Sequence, residues 1–186
     1  MKQELSKKTR TESDLIGSRE VPESALYGVQ TLRGIENFRI SKFHLNEYPL
    51  FIQALAITKM GAAVANRELD LLTEEQTDAI LKACKEILEG KHHDQFPVDM
   101  IQGGAGTTTN MNANEVIANR ALELMGHQRG EYQFCSPNDH VNRSQSTNDA
   151  YPTAIHIGLY YTHLKLVKHL DCLLYTSPSP RDVEES

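Results

Sequence analysis

Two polar loops contain the residues best suited to bind an anion, and each loop precedes a long helix. The first, residues 102–110, reads Gln-Gly-Gly-Ala-Gly-Thr-Thr-Thr-Asn, so three hydroxyls follow glycines that let backbone amides approach a ligand. The helix start adds free N–H groups and the positive end of the helix dipole. No lysine follows the last glycine, as a Walker motif requires, and the GxGxxG pattern is not matched. A glycine-rich turn with threonine caps would contain the same residues.

The second loop, residues 136–149, reads Ser-Pro-Asn-Asp-His-Val-Asn-Arg-Ser-Gln-Ser-Thr-Asn-Asp. Three of its last side chains, Ser146, Thr147 and Asn148, are equally able to serve as N-caps of the following helix. Both loops nevertheless offer neutral donors in place of fixed charges. Neutral donors at helix starts suit a carboxylate whose charge changes during a reaction. A carboxylate site is therefore the functional interpretation of the two loops taken together.

Other residues with chemical potential are less well arranged. Residues 91–94, Lys-His-His-Asp, contain metal-ligating types, but adjacent histidines point apart on most backbones, and a solvated helix end is expected there. The acidic residues near the N-terminus, Glu12, Asp14, Glu20 and Glu23, are expected to form a solvated face. No Ser/His/Asp or Cys/His arrangement is indicated, and no metal site is predicted.

The spacing of apolar residues predicts that the elements which position the two loops are mainly helices. Helices are predicted over residues 29–38, 49–69, 73–90, 112–125 and 148–170, with a capping box at Thr73 and Gln76 and a stop signal at Gly90. In the second helix the inward stripe is expected to contain Phe51, Leu55, Thr58, Ala62 and Ala65. Strand signals are weak, so residues 1–16 are expected to be a flexible lead-in and residues 17–28 a loop. The predicted fold class is mainly α.

Composition excludes several classes of protein. The chain has 186 residues, a net charge of -6 and 39% hydrophobic residues, which suits a soluble globular protein. The acidic balance argues against nucleic-acid binding, and the polar breaks in residues 51–65 argue against a membrane span. Three widely spaced cysteines form no disulfide framework, and no signal peptide precedes them. A cytoplasmic location is therefore expected.

Several long motifs resemble the aspartate ammonia-lyase (aspartase) family of the aspartase/fumarase superfamily. The matching stretches are residues 14–22, 27–38, 94–99, 102–119 and 138–153. Gly-Gly-Ala-Gly-Thr at 103–107 and Ser-Thr-Asn-Asp at 146–149 look like aspartases, where class II fumarases usually carry Thr-Gly-Ser-Gly-Thr and Ser-Ser-Asn-Asp. Tyr27 and Ser136 also stand where fumarases usually carry tryptophan and histidine. One departure is Thr108, where many aspartases carry serine, and little effect is expected because the hydroxyl is kept.

The resemblance implies reversible deamination of L-aspartate to fumarate and ammonia through an enediolate, without a cofactor. By resemblance, Thr107, Ser146 and Thr147 hold the β-carboxylate, Asn148 contacts the amino group, and Thr108 is a weaker candidate beside them. Asn110 and Asn142 are expected to brace the loops. The family's general-base serine lies in a Gly-Ser-Ser…Pro-x-Lys-x-Asn loop, and that string does not occur in the sequence. The resemblance therefore assigns no catalytic residue to this chain, and it implies a homotetramer whose active sites combine three subunits.

The resemblance also implies a division of the chain. Residues 1–141 are expected to form the N-terminal lyase domain, and residues 142–171 the start of a central helix bundle. Residues 172–186 do not continue the family pattern and resemble an in-frame translation of a sequencing adapter. The expectation is a truncated aspartase that is inactive alone. Two alternatives stay open, a class II fumarase that hydrates fumarate to malate and a non-catalytic helical fragment that binds partner helices.

Overall fold

A computed structural model describes residues 8–176, and these residues are mainly helical, which confirms the predicted fold class. The elements in chain order are β1 (Thr9–Asp14), β2 (Gly17–Pro22), α1 (Val29–Asn37), α2 (Pro49–Glu68), α3 (Glu74–Leu88), α4 (Thr107–Leu124) and α5 (Thr147–Thr176). Short 3-10 turns at Leu45–Glu47 and His93–Gln95 and a π-helical turn at Pro137–Val141 connect them. The expected tail at 172–186 lies partly outside the described residues, as does the start of the expected lead-in.

The N-terminal segment differs from the prediction, because β1 and β2 form an antiparallel hairpin where a flexible lead-in and a loop were expected. The Asp14 carboxylate closes the turn by accepting the backbone N–H groups of Ile16 and Gly17. Tertiary anchors stabilise the pair. Arg10 donates to the carbonyl oxygens of Pro22, Ala25 and Tyr27 at 3.0, 2.7 and 2.8 Å. These anchors lie 12 to 17 residues along the chain, so local strand propensity does not reveal them.

Glu12 corrects the expectation of a solvated acidic face. It is 5% exposed, and its carboxylate accepts the Val29 backbone N–H at 3.0 Å while pairing with Arg10 at 2.7 Å. Asp14 is likewise held by Arg33, whose Nε lies 2.8 Å from Oδ2. The hairpin is therefore fastened to α1 by one ion pair, between Asp14 and Arg33, and by one hydrogen bond, from the Val29 N–H to Glu12.

Local signals determine α3 as predicted. Thr73 Oγ1 accepts the Gln76 backbone N–H at 3.1 Å, and the Gln76 side chain accepts the Thr73 N–H, which completes the capping box. Gly90 follows the helix with φ of +88°, the left-handed conformation that terminates helices. The other predicted ends are less accurate. α4 begins at Thr107, five residues before the expected 112, and α5 continues to Thr176, beyond the expected 170.

The core lies where α2 packs between α3 and α5 while α3 contacts α4. Its largest fully buried apolar side chains include Ile52, Leu55, Ile80, Ile87, Ile117 and Leu122. The buried stripe of α2 is rotated by about one residue from the prediction, with Ala65 exposed. That stripe contains Ile52, Ala54, Leu55, Ala56, Lys59, Ala63 and Asn66. A lysine and an asparagine thus lie on the buried face of an alanine-rich helix.

Helix α5 is buried only near its start. Ala150, Ala154 and Gly158 face the protein, and the Gly158 backbone lies close to Leu50 and Phe51 of α2. Beyond Gly158 the large apolar residues are exposed, including Leu159, Tyr160, Leu164, Leu166, Leu170 and Leu173. The first third of α5 therefore positions the second polar loop, while the rest projects an uncovered apolar surface.

Candidate functional site

The two polar loops converge at the starts of α4 and α5. Asn110, in the first turn of α4, donates from Nδ2 to Thr147 Oγ1 and to Asn142 Oδ1, both at 3.1 Å. The expectation that Asn110 and Asn142 brace the loops is confirmed by these contacts. Thr107 precedes Asn110 by one helical turn. The fold thereby brings together the two helix starts that carry Thr107 and Thr147.

The first loop is held against α5 by a glycine. Gly106, which precedes α4, is buried and has φ of +87°, a conformation that side chains other than glycine rarely adopt. A Cβ atom at Gly106 would collide with the ring of Tyr151, and that ring packs edge-on against Phe51 with centroids 5.7 Å apart. At the beginning of the loop, the Gln102 side chain bridges to α4, because its Oε1 accepts the Thr109 N–H at 2.8 Å. Gly106 thus serves close packing on α5 as well as turn formation.

Side chains of the second loop form hydrogen bonds with the backbone of the same loop. The Ser136 Oγ accepts the N–H groups of Asn138 and Asp139, and the Ser136 N–H donates to His140 Nδ1 at 2.7 Å. Burial lowers the pKa of His140 below its ordinary value, so its imidazole is neutral at pH 7. Gln145 closes the remaining turn, with Nε2 donating to the Val141 carbonyl at 2.9 Å.

The predicted ligand residues differ in how far they reach solvent. Thr107, Ser146 and Asn148 are exposed, and Thr147 is half-buried. The Ser146 Oγ accepts the Asn148 backbone N–H at 3.2 Å, so its proton stays free to donate. Thr108 is half-buried, and its methyl fills the space beside Gly34 of α1, where a Cβ would collide with it. Thr108 therefore joins α1 to α4 beside the site.

Lys59 is the residue that the sequence interpretation missed. Its side chain is 0% exposed, and Nζ donates to Asn110 Oδ1, Asn142 Oδ1 and Gln145 Oε1 at 2.7, 2.9 and 3.0 Å. Burial lowers the pKa of Lys59 to about 7. A lone lysine on the buried stripe of an amphipathic helix was the signal available in the sequence.

Buried Glu115 is a second omission. This α4 residue is 1% exposed, and its carboxylate accepts the N–H groups of Gly28, Gln30 and Thr31 at 2.8 to 3.0 Å. Burial raises the pKa of Glu115, and these hydrogen bonds oppose the rise. The carboxylate caps the start of α1 and, among the described residues, makes no hydrogen bond to the converging loops, so its role is structural.

The two adjacent histidines make hydrogen bonds at the end of α3, and Cys84 and Cys135 are buried. His92 Nε2 lies 2.8 Å from Glu86 Oε2, and His93 Nε2 lies 2.8 Å from the Ile87 carbonyl oxygen. The Arg120 hydrogen bond lowers the pKa of Glu86 to about 2. Burial raises the pKa of Cys84 and of Cys135 to about 12, which keeps both thiols protonated.

The described part of the chain supplies neither a metal cluster nor a membrane helix. Between residues 8 and 176, no three His, Cys, Asp or Glu side chains are grouped so that they would hold a metal ion. Among the helices of the same range, none combines the length and the hydropathy that a membrane crossing requires.

Comparison with known proteins identifies relatives over most of the chain. A family model described as lyase matches residues 17–177. The aspartate ammonia-lyase of Pseudomonas fluorescens is 58% identical over 165 residues, which are 89% of this chain and 34% of that protein. The enzyme of the same name from Escherichia coli K12 is 54% identical over 170 residues, covering 91% of this chain and 36% of that protein. The chain thus spans about a third of the length of these curated relatives.

Two solved structures share the fold. A fumarate lyase:delta crystallin from Brucella melitensis, bound to cobalt, superposes with a TM-score of 0.89 at 50% identity, covering 90% of this chain and 36% of that one. A class II fumarase from Schistosoma mansoni superposes with a TM-score of 0.76 at 38% identity, covering 81% and 32% respectively.

Proposed function

The chain belongs to the lyase family whose model covers residues 17–177, and on this basis we propose that it forms part of an aspartate ammonia-lyase. The proposed reaction is the reversible deamination of L-aspartate to fumarate and ammonia, with no cofactor. The observation that carries the proposal is the convergence of the starts of α4 and α5, which the Asn110–Thr147 hydrogen bond joins. Both helix starts carry hydroxyl groups that are exposed or half-buried. Identities of 54–58% to aspartate ammonia-lyases, against 38% to a class II fumarase, favour aspartate as the substrate.

The proposed roles of the site residues follow from the negative charge that develops on the β-carboxylate during the reaction. Removal of the Cβ proton places a second negative charge on the β-carboxylate and gives an enediolate. Donors that bind this state more tightly than the substrate accelerate the step. Thr107, Ser146 and Thr147 are proposed to donate their hydroxyl protons to the carboxylate, with added stabilisation from the two helix dipoles. Asn148 is proposed to contact the amino group of the substrate. Thr108, which packs against α1, is proposed to support the residues that bind the carboxylate.

The rest of the active site is proposed to come from outside these residues. That part includes the general-base serine and the groups that bind the α-carboxylate, so the chain alone is proposed to be inactive. Residues 1–141 are proposed to form the N-terminal domain, residues 142–171 the start of a helix bundle, and residues 172–186 a tail that departs from the family sequence, although the match of the family model runs on to residue 177. A cytoplasmic homotetramer is the proposed assembly. The exposed apolar surface of α5 beyond Gly158 supports a bundle, because such a surface is stable only when covered.

A chimeric enzyme tests the function. Residues 14–171 of this chain replace the matching segment of the Pseudomonas fluorescens aspartate ammonia-lyase, and fumarate is followed by its ultraviolet absorbance. We expect fumarate from L-aspartate with the chimera and none with the 186-residue chain alone. A chimera with Ser146→Ala is the matched control and should be much slower. A chimera that assembles normally but is inactive on aspartate contradicts the proposal.

Class II fumarase is the second candidate function, since the Schistosoma mansoni enzyme shares the fold with a TM-score of 0.76. The same chimera is assayed in parallel with L-malate. Because the leaving group is water in one reaction and ammonia in the other, the two substrates separate the candidates. Fumarate formed from malate but not from aspartate would replace the first proposal by the second.

A further inference from the structure

The ammonium group of Lys59 lies at the junction of the two loops. It donates to one amide oxygen from α4, Asn110, and to two from the segment before α5, Asn142 and Gln145. These partners are 51, 83 and 86 residues away in the chain. One buried group from α2 therefore ties together both loops of the proposed carboxylate site.

This contact determines which way the amides face. An ammonium group has three donors and no acceptor, so each amide must turn its oxygen toward Lys59. The NH2 group of Asn110 is thereby directed away from Lys59, where it donates to Thr147 Oγ1 at 3.1 Å. A hydroxyl that accepts one hydrogen bond still has its single proton to donate. The Thr147 proton is thus left available on the exposed side of the cluster.

We propose that Lys59 is a positioning residue of the carboxylate site. Its ammonium group orients the Asn110 amide so that the Thr147 hydroxyl accepts from Asn110 and presents its proton to the bound carboxylate. This role rests on the proposed function, because it assumes that a carboxylate binds Thr147. The chain of donors, from Lys59 through Asn110 to Thr147, also polarises each successive bond toward the ligand.

The charged form of Lys59 fits the cluster better than the neutral form. Three oxygen atoms surround Nζ, and a neutral amine would offer two protons and point its lone pair at the third oxygen. No carboxylate in the described residues compensates the charge, since the influences on the pKa of Lys59 are burial and the Cys84 thiol. A bound dicarboxylate would supply the missing negative charge next to the cluster.

Few other groups near Lys59 titrate. Cys84 of α3 faces it, and because burial raises the pKa of that thiol to about 12, it stays neutral at ordinary pH. The contacts from α4 and from the segment before α5 are amides, which do not titrate. His140 and Arg143 flank Asn142 in the same segment, so His140 requires a control.

The first arm of the test uses the ligand-free 186-residue chain labelled with nitrogen-15. The side-chain NH2 resonances of Asn110, Asn142 and Gln145, and the Thr147 amide, are followed from about pH 5.5 to about pH 9. We expect them to shift together with one midpoint. His140→Gln and the exposed Lys82→Met should keep this titration, and Lys59→Met should abolish it. Resonances of Asn110 and Thr147 that do not move, or that move alike in Lys59→Met, overturn the proposal.

If Lys59→Met does not fold, a variant that keeps Lys59 and removes one of its partners tests the same proposal. Gln145→Leu removes one acceptor from the ammonium group and should move the shared midpoint to lower pH, because the cation is then less well solvated. An unmoved midpoint means that Lys59 is not the titrating group and contradicts the proposal.

The second arm adds succinate, an unreactive dicarboxylate, to the chimeric enzyme, which holds the rest of the proposed site, and to its Lys59→Met form. We expect succinate affinity to fall about tenfold above the midpoint in the parent chimera, and to be weak and independent of pH in the Lys59→Met chimera. Equal affinity and equal pH dependence in the two proteins overturn the positioning role. If succinate binds neither protein, the proposed substrate site fails, while the first arm still decides whether Lys59 orients Asn110 and Thr147.

Discussion

Two of the protein's buried ionisable groups, Glu115 and Lys59, have surroundings that differ in one respect. Glu115 is enclosed by backbone N–H groups at the start of α1, and each of those donors is used up. Lys59 is enclosed by side-chain amides, and beyond Asn110 lies the half-buried Thr147 hydroxyl, whose proton is free to donate. A buried ionisable group whose partners are all satisfied has a structural role. A buried ionisable group whose partners contact a free hydroxyl donor can instead orient that donor toward a ligand. Five predictions follow from this contrast.

The largest effect is expected for Glu115→Ala. Three backbone donors at the start of α1 would lose their acceptor inside the protein, which should lower the free energy of unfolding by at least about 3 kcal/mol. Urea denaturation of the 186-residue chain measures the change, with the exposed Glu68→Ala as the matched control. A loss no greater than that of the control would remove Glu115 from its structural role.

Thr147→Val should act on function with little effect on stability. In the chimeric enzyme we expect kcat/KM for L-aspartate to fall about a hundredfold, as for loss of one donor to a developing oxyanion. Thr153→Val is the matched control, because Thr153 lies exposed on the same helix with its hydroxyl donating to the Asp149 carbonyl at 2.7 Å. Similar kinetics for the two variants would contradict the assignment of Thr147.

The pH dependence of stability should isolate Lys59. Because burial lowers the pKa of Lys59 from 10.5 to about 7, the unfolded state binds the extra proton across that window. The lysine therefore destabilises the fold most below pH 7, and this penalty is relieved as pH rises. Relative to Lys59→Met, the parent chain should gain about 2 kcal/mol in unfolding free energy between pH 7 and pH 9. Urea denaturation at both values checks this, and a flat or falling difference contradicts it.

Glu115 should show the opposite sign. Burial raises its pKa above 4.5, so the folded state holds the proton longer, and its contribution to stability falls as pH rises through that window. The unfolding free energy is measured against pH for the parent chain and for each variant, Glu115→Ala and Lys59→Met. The difference from Glu115→Ala should fall with pH, whereas the difference from Lys59→Met should rise.

The smallest effect is expected for Thr108→Ser. The substitution removes the methyl group that fills the space beside Gly34 and keeps the hydroxyl. We expect a loss below about 1 kcal/mol in unfolding free energy, the value of one buried methyl, and kcat/KM of the chimera within about twofold. A larger kinetic effect would place Thr108 in direct contact with the substrate.

Local interactions explain which parts of the fold were predictable. The α3 capping box joins Thr73 and Gln76, three residues apart, and the Gly90 stop needs only its own backbone conformation. The hairpin was missed because Arg10 and Glu12 depend on partners up to 17 residues away. The stripe of α2 was misplaced because small apolar residues occur on several of its faces, and only packing selects one.

The sequence by itself determined the helical fold class, the two polar loops and the residue types of a neutral-donor site, because periodicity and composition are properties of the chain. Only the tertiary structure decided that the loops meet, and that Lys59, which belongs to neither loop, joins them in addition to the direct hydrogen bonds of Asn110. The nearest partner of Lys59 in sequence is 51 residues away. The physical reason is that a buried ammonium must find oxygen atoms wherever the packed helices bring them, and no local pattern encodes that meeting.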